Sequence, residues 1–100
     1  MPVYHVVLNK LNPGVTTEQS QEWQALLKDM VGKIPGLLSL EVNSPLALTA
    51  HRSLGFNLGV VSVLEKAEDL KGYATHPAHL KVQELREKLC GETLVYDLEF

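Results

Sequence analysis

From Val3 to Leu11 the chain alternates with a two-residue period, yet neither set of side chains is polar. Val3, His5, Val7 and Leu11 fall on one side, Tyr4, Val6 and Leu8 on the other. Successive residues of a strand point to opposite faces of its sheet, so a strand patterned this way must be covered on both. Only two further stretches of the 100 residues carry a helical period that could supply cover. That shortage limits the architectures open to the chain.

Thr16 and Gln19 form a capping box, and Trp23, Leu26, Leu27, Met30, Val31 and Ile34 recur at three- and four-residue steps. They predict a first helix from about Thr17 to Lys33, ended by Gly32, Pro35 and Gly36, with Trp23 and Met30 in its core stripe. Leu38, Leu40 and Val42 then alternate with Ser39, Glu41 and Asn43, giving a strand with one polar side that belongs near a sheet edge. Ser44 to Leu54 has no period and reads as a long surface loop. Gly55 to Leu64 is a third strand, with Phe56, Leu58, Val60 and Leu64 on one side and Val61 and Val63 on the other. The acids of Glu65-Lys66-Ala67-Glu68-Asp69 open a second helix. It is broken at His76-Pro77 and resumes with Ala78, Val82, Leu85 and Leu89 until Gly91. Leu94, Tyr96, Leu98 and Phe100 alternate with Thr93, Val95 and Asp97 as the last strand.

The order β-α-β-β-α-β with two long helices predicts an α+β, ferredoxin-like domain: one four-stranded antiparallel sheet with the helices on one face. Strands one, three and four keep apolar residues on the other face, and no element remains to hide them. A homodimer in which two sheets pack face to face, a dimeric α/β barrel with an internal cavity, resolves this. In that arrangement His5, with Val3 and Val7, is expected on the inner, ligand-facing side, and Tyr4, Val6 and Leu8 under the helices.

One hundred residues make one domain able to bury a core without staples. The net charge of −3, with nine scattered Lys and Arg, argues against a nucleic-acid or polybasic membrane partner. The single Cys90 excludes an internal disulfide, and the N-terminus lacks a basic leader. No apolar run approaches the roughly 20 residues of a membrane span. A soluble cytoplasmic protein is expected.

Chemistry concentrates in Tyr73-Ala74-Thr75-His76-Pro77-Ala78-His79, a phenol and two imidazoles at a helix junction. Tyr73 and His79 are six positions apart, about 240° around an unbroken helix, so only the break at His76-Pro77 lets them converge. A histidine near neutral pKa and a tyrosine donor are what proton removal beside a carbonyl requires. The His-x-x-His spacing of His76 and His79 lacks a Cys, Asp or Glu nearby as third ligand, so neither metal nor other cofactor is expected.

His5-Val6-Val7-Leu8, Val31-Gly32-Lys33-Ile34-Pro35-Gly36, Tyr73-x-x-His76-Pro77-Ala78-His79 and Leu94-Val95-Tyr96-Asp97 together resemble the stress-responsive dimeric α/β-barrel family. The resemblance covers nearly the whole chain and implies a homodimer. In a minority of members it implies an enzyme, the best understood being a plant polyketide cyclase that closes a linear tetraketide by aldol condensation. It casts Tyr73 as carbonyl-polarising donor and His79 as general base, with His5 and His76 near the pocket. Leu27 stands where that cyclase has a pocket tyrosine and Leu58 where it has a pocket histidine, so part of the polar lining is lost. The expected function is aldol-type ring closure of a polyketide or related phenolic substrate, with His5, His76, Val7, Leu27 and Leu58 lining the site. A non-catalytic stress-responsive dimer binding a small hydrophobic or phenolic ligand is the alternative, and a cofactor-independent oxygenase a second.

Overall fold

The computed structural model describes residues 1–100 and contains four strands and three α-helices. They are β1 (Val3–Leu11), α1 (Thr17–Asp29), β2 (Leu37–Asn43), β3 (Leu58–Leu64), α2 (Asp69–Thr75), α3 (Pro77–Leu89) and β4 (Cys90–Glu99), with a short 3₁₀ turn at Ala50–Arg52 in the β2–β3 loop. The strands form one antiparallel sheet in the order β2-β3-β1-β4, the ferredoxin-like arrangement with the helices on one face. No helix is long and apolar enough to cross a membrane.

Local chemistry explains most element ends. Thr16 accepts from the Gln19 N–H while the Gln19 side chain accepts from the Thr16 N–H, completing the capping box of α1. Such a cap stabilises a helix by about 1 kcal/mol. The helix stops at Asp29, earlier than its apolar period suggests, because the chain winds into turns over Met30–Ile34 and Gly32 takes a left-handed φ of 93°. Helix α2 likewise begins at Asp69 rather than Glu65: the Glu65 N–H is held by the Gly36 carbonyl at 2.8 Å, which keeps the first acids out of the helix. At His76 the backbone is extended (φ −65°, ψ 138°) and the imidazole caps α3, with Pro77 as its first residue.

In β2 a register shift between Leu37 and Ser39 turns Leu37 inward with Leu40 and Val42 and leaves Leu38 exposed, so Leu38 does not join the buried set its spacing suggests. β2 and β4 are the sheet edges.

The core fills the space between sheet and helices: Val3, Val7, Leu58, Val60 and Leu64 from the strands meet Trp23, Leu27, Met30 and Ile34 from α1 and its exit, and Tyr73, Val82 and Leu89 from α2 and α3. Trp23 donates its indole N–H to the Val82 carbonyl at 3.1 Å and so ties α1 to α3. This corrects the expected face assignment. Register pairs Val3 with Leu64, His5 with Ser62 and Val7 with Val60, so His5 shares the face of the aliphatic β3 set and lies beneath the helices. Tyr4, Val6 and Leu8 take the open face. Both sets of β1 are apolar enough for either side; the register with β3 decides between them.

Candidate functional site

A cavity of about 290 Å³ lies between the sheet and the helices of a single chain, not between two sheets as the barrel arrangement suggested. His5, Asn9 and Val60 of the sheet, Trp23 and Leu27 of α1, Tyr73 of α2 and Val82 of α3 make its buried walls. Its partly or fully exposed lining, Ala74, His79, Arg86, Val95 and Asp97, places the mouth between β4 and the α2–α3 junction.

The helix break brings Tyr73 and His79 together, their ring centroids 4.6 Å apart. On the other side of Tyr73 the His5 ring approaches edge-on at 5.1 Å. Three rings from two ends of the sequence therefore meet around one phenol. The Nδ1 of His79 lies 3.0 Å from the Ala74 carbonyl. A carbonyl only accepts, so Nδ1 donates and Nε2 is left as the free, basic nitrogen. His5 Nδ1 meets the Asp97 carboxylate at 2.5 Å, which fixes the tautomer in the same way.

Burial is the main cause that lowers the pKa of His79; the positive charge of Arg86 and the neighbouring His5 add to it, while the hydrogen bond to Ala74 works against them. The ring is thus neutral at pH 7. Burial also pushes Tyr73 up to about 12, with Asp97 adding to the rise and Arg86 opposing it. At neutral pH the phenol is a donor and the imidazole an acceptor, the complementary protonation states that acid–base catalysis needs.

Of the side chains singled out from sequence, Tyr73, His79, His5, Val7 and Leu27 line this cavity. His76 and Leu58 do not. The imidazole of His76 accepts from the Ala78 N–H at 3.1 Å as the α3 cap, and Leu58 is core, reaching a separate hollow beside Thr16 and Ser20.

Asp97, Arg86 and Asn9 line the cavity and were not anticipated as site residues. Asp97 was detectable as one of two acids, with Glu99, in the β4 set that faces the helices, but its partner depends on a β1–β4 register joining residues 92 positions apart. Arg86 lies four positions beyond Val82 and seven beyond His79, which places all three on one face of α3. Asn9 is fully buried, donating to the Leu58 carbonyl at 3.2 Å and accepting from Thr93 at 3.2 Å.

The sequence matches the model of the stress-responsive A/B barrel domain over residues 3–100. The chain belongs to the stress-responsive A/B barrel family. Among solved structures it is similar to a dimeric protein of unknown function and ferredoxin-like fold from Bacteroides fragilis. That pair shows 25% identity and a TM-score of 0.76, covering 99% of this chain and 96% of the other. A dimeric ferredoxin-like protein of unknown function from Jannaschia sp. is 22% identical with a TM-score of 0.87 over 100% of both chains. The hydroxynitrile lyase of Passiflora edulis is 17% identical with a TM-score of 0.87, covering 97% of this chain and 91% of that one. Among curated proteins, none matches this A/B barrel sequence.

Proposed function

We propose that this A/B barrel protein is an acid–base enzyme that closes a ring by aldol-type condensation of a short poly-β-ketone or related phenolic precursor. The observation that carries the reading is the Tyr73–His79 pair, 4.6 Å apart in the cavity with Nδ1 of His79 tied to Ala74. His79 Nε2 takes a proton from the carbon between two carbonyls while the Tyr73 O–H donates to the developing enolate oxygen. The enolate carbon then attacks a second carbonyl, forming the new C–C bond. The resulting alkoxide recovers the proton from the His79 imidazolium, and loss of water leads toward the aromatic ring. His5, oriented by Asp97, supports the phenol from the other side.

A volume near the lower end of known ligand pockets and largely apolar walls favour a small ligand. The solved Passiflora edulis relative, a hydroxynitrile lyase by name, fits the view that such a fold accommodates lyase chemistry.

We also propose that two copies associate through the open sheet face. Val61, Leu94, Tyr96 and Leu98 leave an apolar surface there, and the Bacteroides and Jannaschia relatives are described as dimeric. Sedimentation is expected to give a species of twice the chain mass; a compact monomer at micromolar concentration overturns this part.

The test of catalysis offers linear poly-β-ketones and follows aromatic product. His79→Ala is expected to lose about 10²–10⁴ in turnover and Tyr73→Phe a comparable share, both folded. A wild type with no rate above buffer, and only graded affinity losses in the variants, replaces the enzyme with a ligand-binding module.

A further inference from the structure

The cavity contains one charge without a partner. His79, Val82 and Arg86 lie on one face of α3 and all line the cavity. Of the other cations of that helix, Lys88 pairs with Glu84 at 3.6 Å and Lys81 is exposed. Arg86 is half-buried and forms neither an ion pair nor a side-chain hydrogen bond. Its neighbours at three and four positions, Val82, Gln83, Leu89 and Cys90, include no acid. The nearest cavity carboxylate, Asp97, is engaged by His5. A half-buried guanidinium at an apolar wall without a counter-ion has given up part of its hydration, a loss that an arriving anion offsets.

We propose that Arg86 is the carboxylate-binding group of this cavity, so that its ligand is an organic acid with a compact apolar or phenolic body and its carboxylate at the mouth. The inference rests on the cavity being the ligand site of the proposed function and adds the class of substrate. The planar guanidinium suits a carboxylate because two parallel N–H groups meet its two oxygens. The lining residues divide accordingly: Trp23, Leu27, Val60 and Val82 receive the body, and Arg86 stands with Val95 and Ala74 nearer solvent. In that pose the ligand's reactive end lies toward Tyr73 and His79. The positive charge of Arg86 is felt across the site, where it adds to the lowering of the His79 pKa and opposes the rise that burial gives Tyr73.

Isothermal titration of the full chain with 2,4-dihydroxybenzoate and with its neutral isostere 2,4-dihydroxybenzamide tests this without requiring turnover. The acid is expected to bind roughly ten- to hundredfold more tightly than the amide. Arg86→Met is expected to abolish that preference by weakening the acid much more than the amide, and Arg86→Lys to keep part of it as a point charge lacking the fork. Lys81→Met, outside the cavity, controls for net charge. Equal affinity of acid and amide for the wild type overturns the proposal, and this comparison stands even if Arg86→Met fails to fold. A preference that survives in Arg86→Met, equal losses for both probes, or no binding of either also overturns it. Turnover of neutral poly-β-ketones without acid preference defeats this inference alone, whereas acid binding through Arg86 without any turnover defeats only the catalytic reading.

Discussion

Both faces of the sheet carry apolar side chains, and they differ in how their polar groups are held. Beneath the helices, buried among Val3, Val7, Val60 and Leu64, lie His5, Asn9 and Ser62. Each has a partner: Asp97 for His5, the Leu58 carbonyl and Thr93 for Asn9, and the His5 carbonyl for Ser62. The open face presents Tyr4, Val61, Leu94, Tyr96 and Leu98. A hollow of about 690 Å³ lies there under the β2–β3 loop, larger than the cavity, yet lined by no histidine or tyrosine. Buried polar groups are retained only when satisfied, so their concentration on one face marks where specific recognition or chemistry was built. The exposed apolar residues of the open face, with Glu41 beside them on edge strand β2, mark a surface meant to be covered. Volume alone would have chosen the wrong side of the sheet.

The largest effect expected to separate the faces comes from two adjacent residues. Val60 is 2% exposed and faces the helices; Val61 is 43% exposed on the open side. Val60→Asp places a carboxylate at a packed core position, costing several kcal/mol against a domain stability of about 5–15 kcal/mol, so loss of the folded far-ultraviolet dichroism is expected. Val61→Asp is expected to keep that spectrum and convert the dimer to monomer in sedimentation. If both variants fold and remain associated, the two faces are not divided into a packed core and a dimer surface.

Within the covered face, the His5–Asp97 pair is expected to be secondary to Tyr73–His79. Asp97→Asn keeps the shape but removes the charge that orients His5, so turnover is expected to fall by less than the about 10²–10⁴ assigned to His79→Ala. A deeper loss than in His79→Ala would move the base from His79 to His5.

These residues also show what was legible before the structure. The capping box at Thr16 and Gln19, the break at His76-Pro77 and the edge character of β2 are local, set by residues within a few positions of each other. The convergence of Tyr73 and His79 followed from that break, being geometry within one segment. The side of His5 was not local: β1 is apolar both ways, and only its register with β3 turns His5 under the helices. Asp97 needed the β1–β4 register as well. Leu37 displaced Leu38 through a bulge that no spacing announces. Pairing across the sheet, rather than propensity, fixed what the pattern left open.

Tyr73 gives a smaller effect, confined to alkaline solution. Its pKa rises from 10 in the unfolded chain to about 12 in the folded one, chiefly through burial. Below pH 10 the phenol is protonated in both states. Between pH 10 and 12 the unfolded chain ionises first, so stability falls by about 2–3 kcal/mol as pH rises through that window. Urea melts at pH 9 and about 11.5 are expected to show this loss in the wild type and a shallower one in Tyr73→Phe. Equal slopes would mean that the phenol is not held in a dry site.

The smallest effect is the one most closely tied to the cavity. His79 is faced by Tyr73, His5 and Arg86, with Asp97 beyond, and burial is the main cause holding its pKa below 6.5. Above pH 6.5 the ring is neutral whether the chain is folded or not. As pH drops below 6.5 the unfolded chain takes up the proton first, so folded stability declines toward the lower, folded pKa. Catalysis follows the same titration from the enzyme's side: kcat/KM is expected to hold across neutral pH and fall along an acid limb whose midpoint lies below 6.5. Arg86→Met removes a cation that opposes protonation of the ring, so it is expected to move the midpoint upward. A limb centred at or above 6.5 in the wild type, or one that Arg86→Met leaves in place, would assign the titrating base to a group outside this cavity.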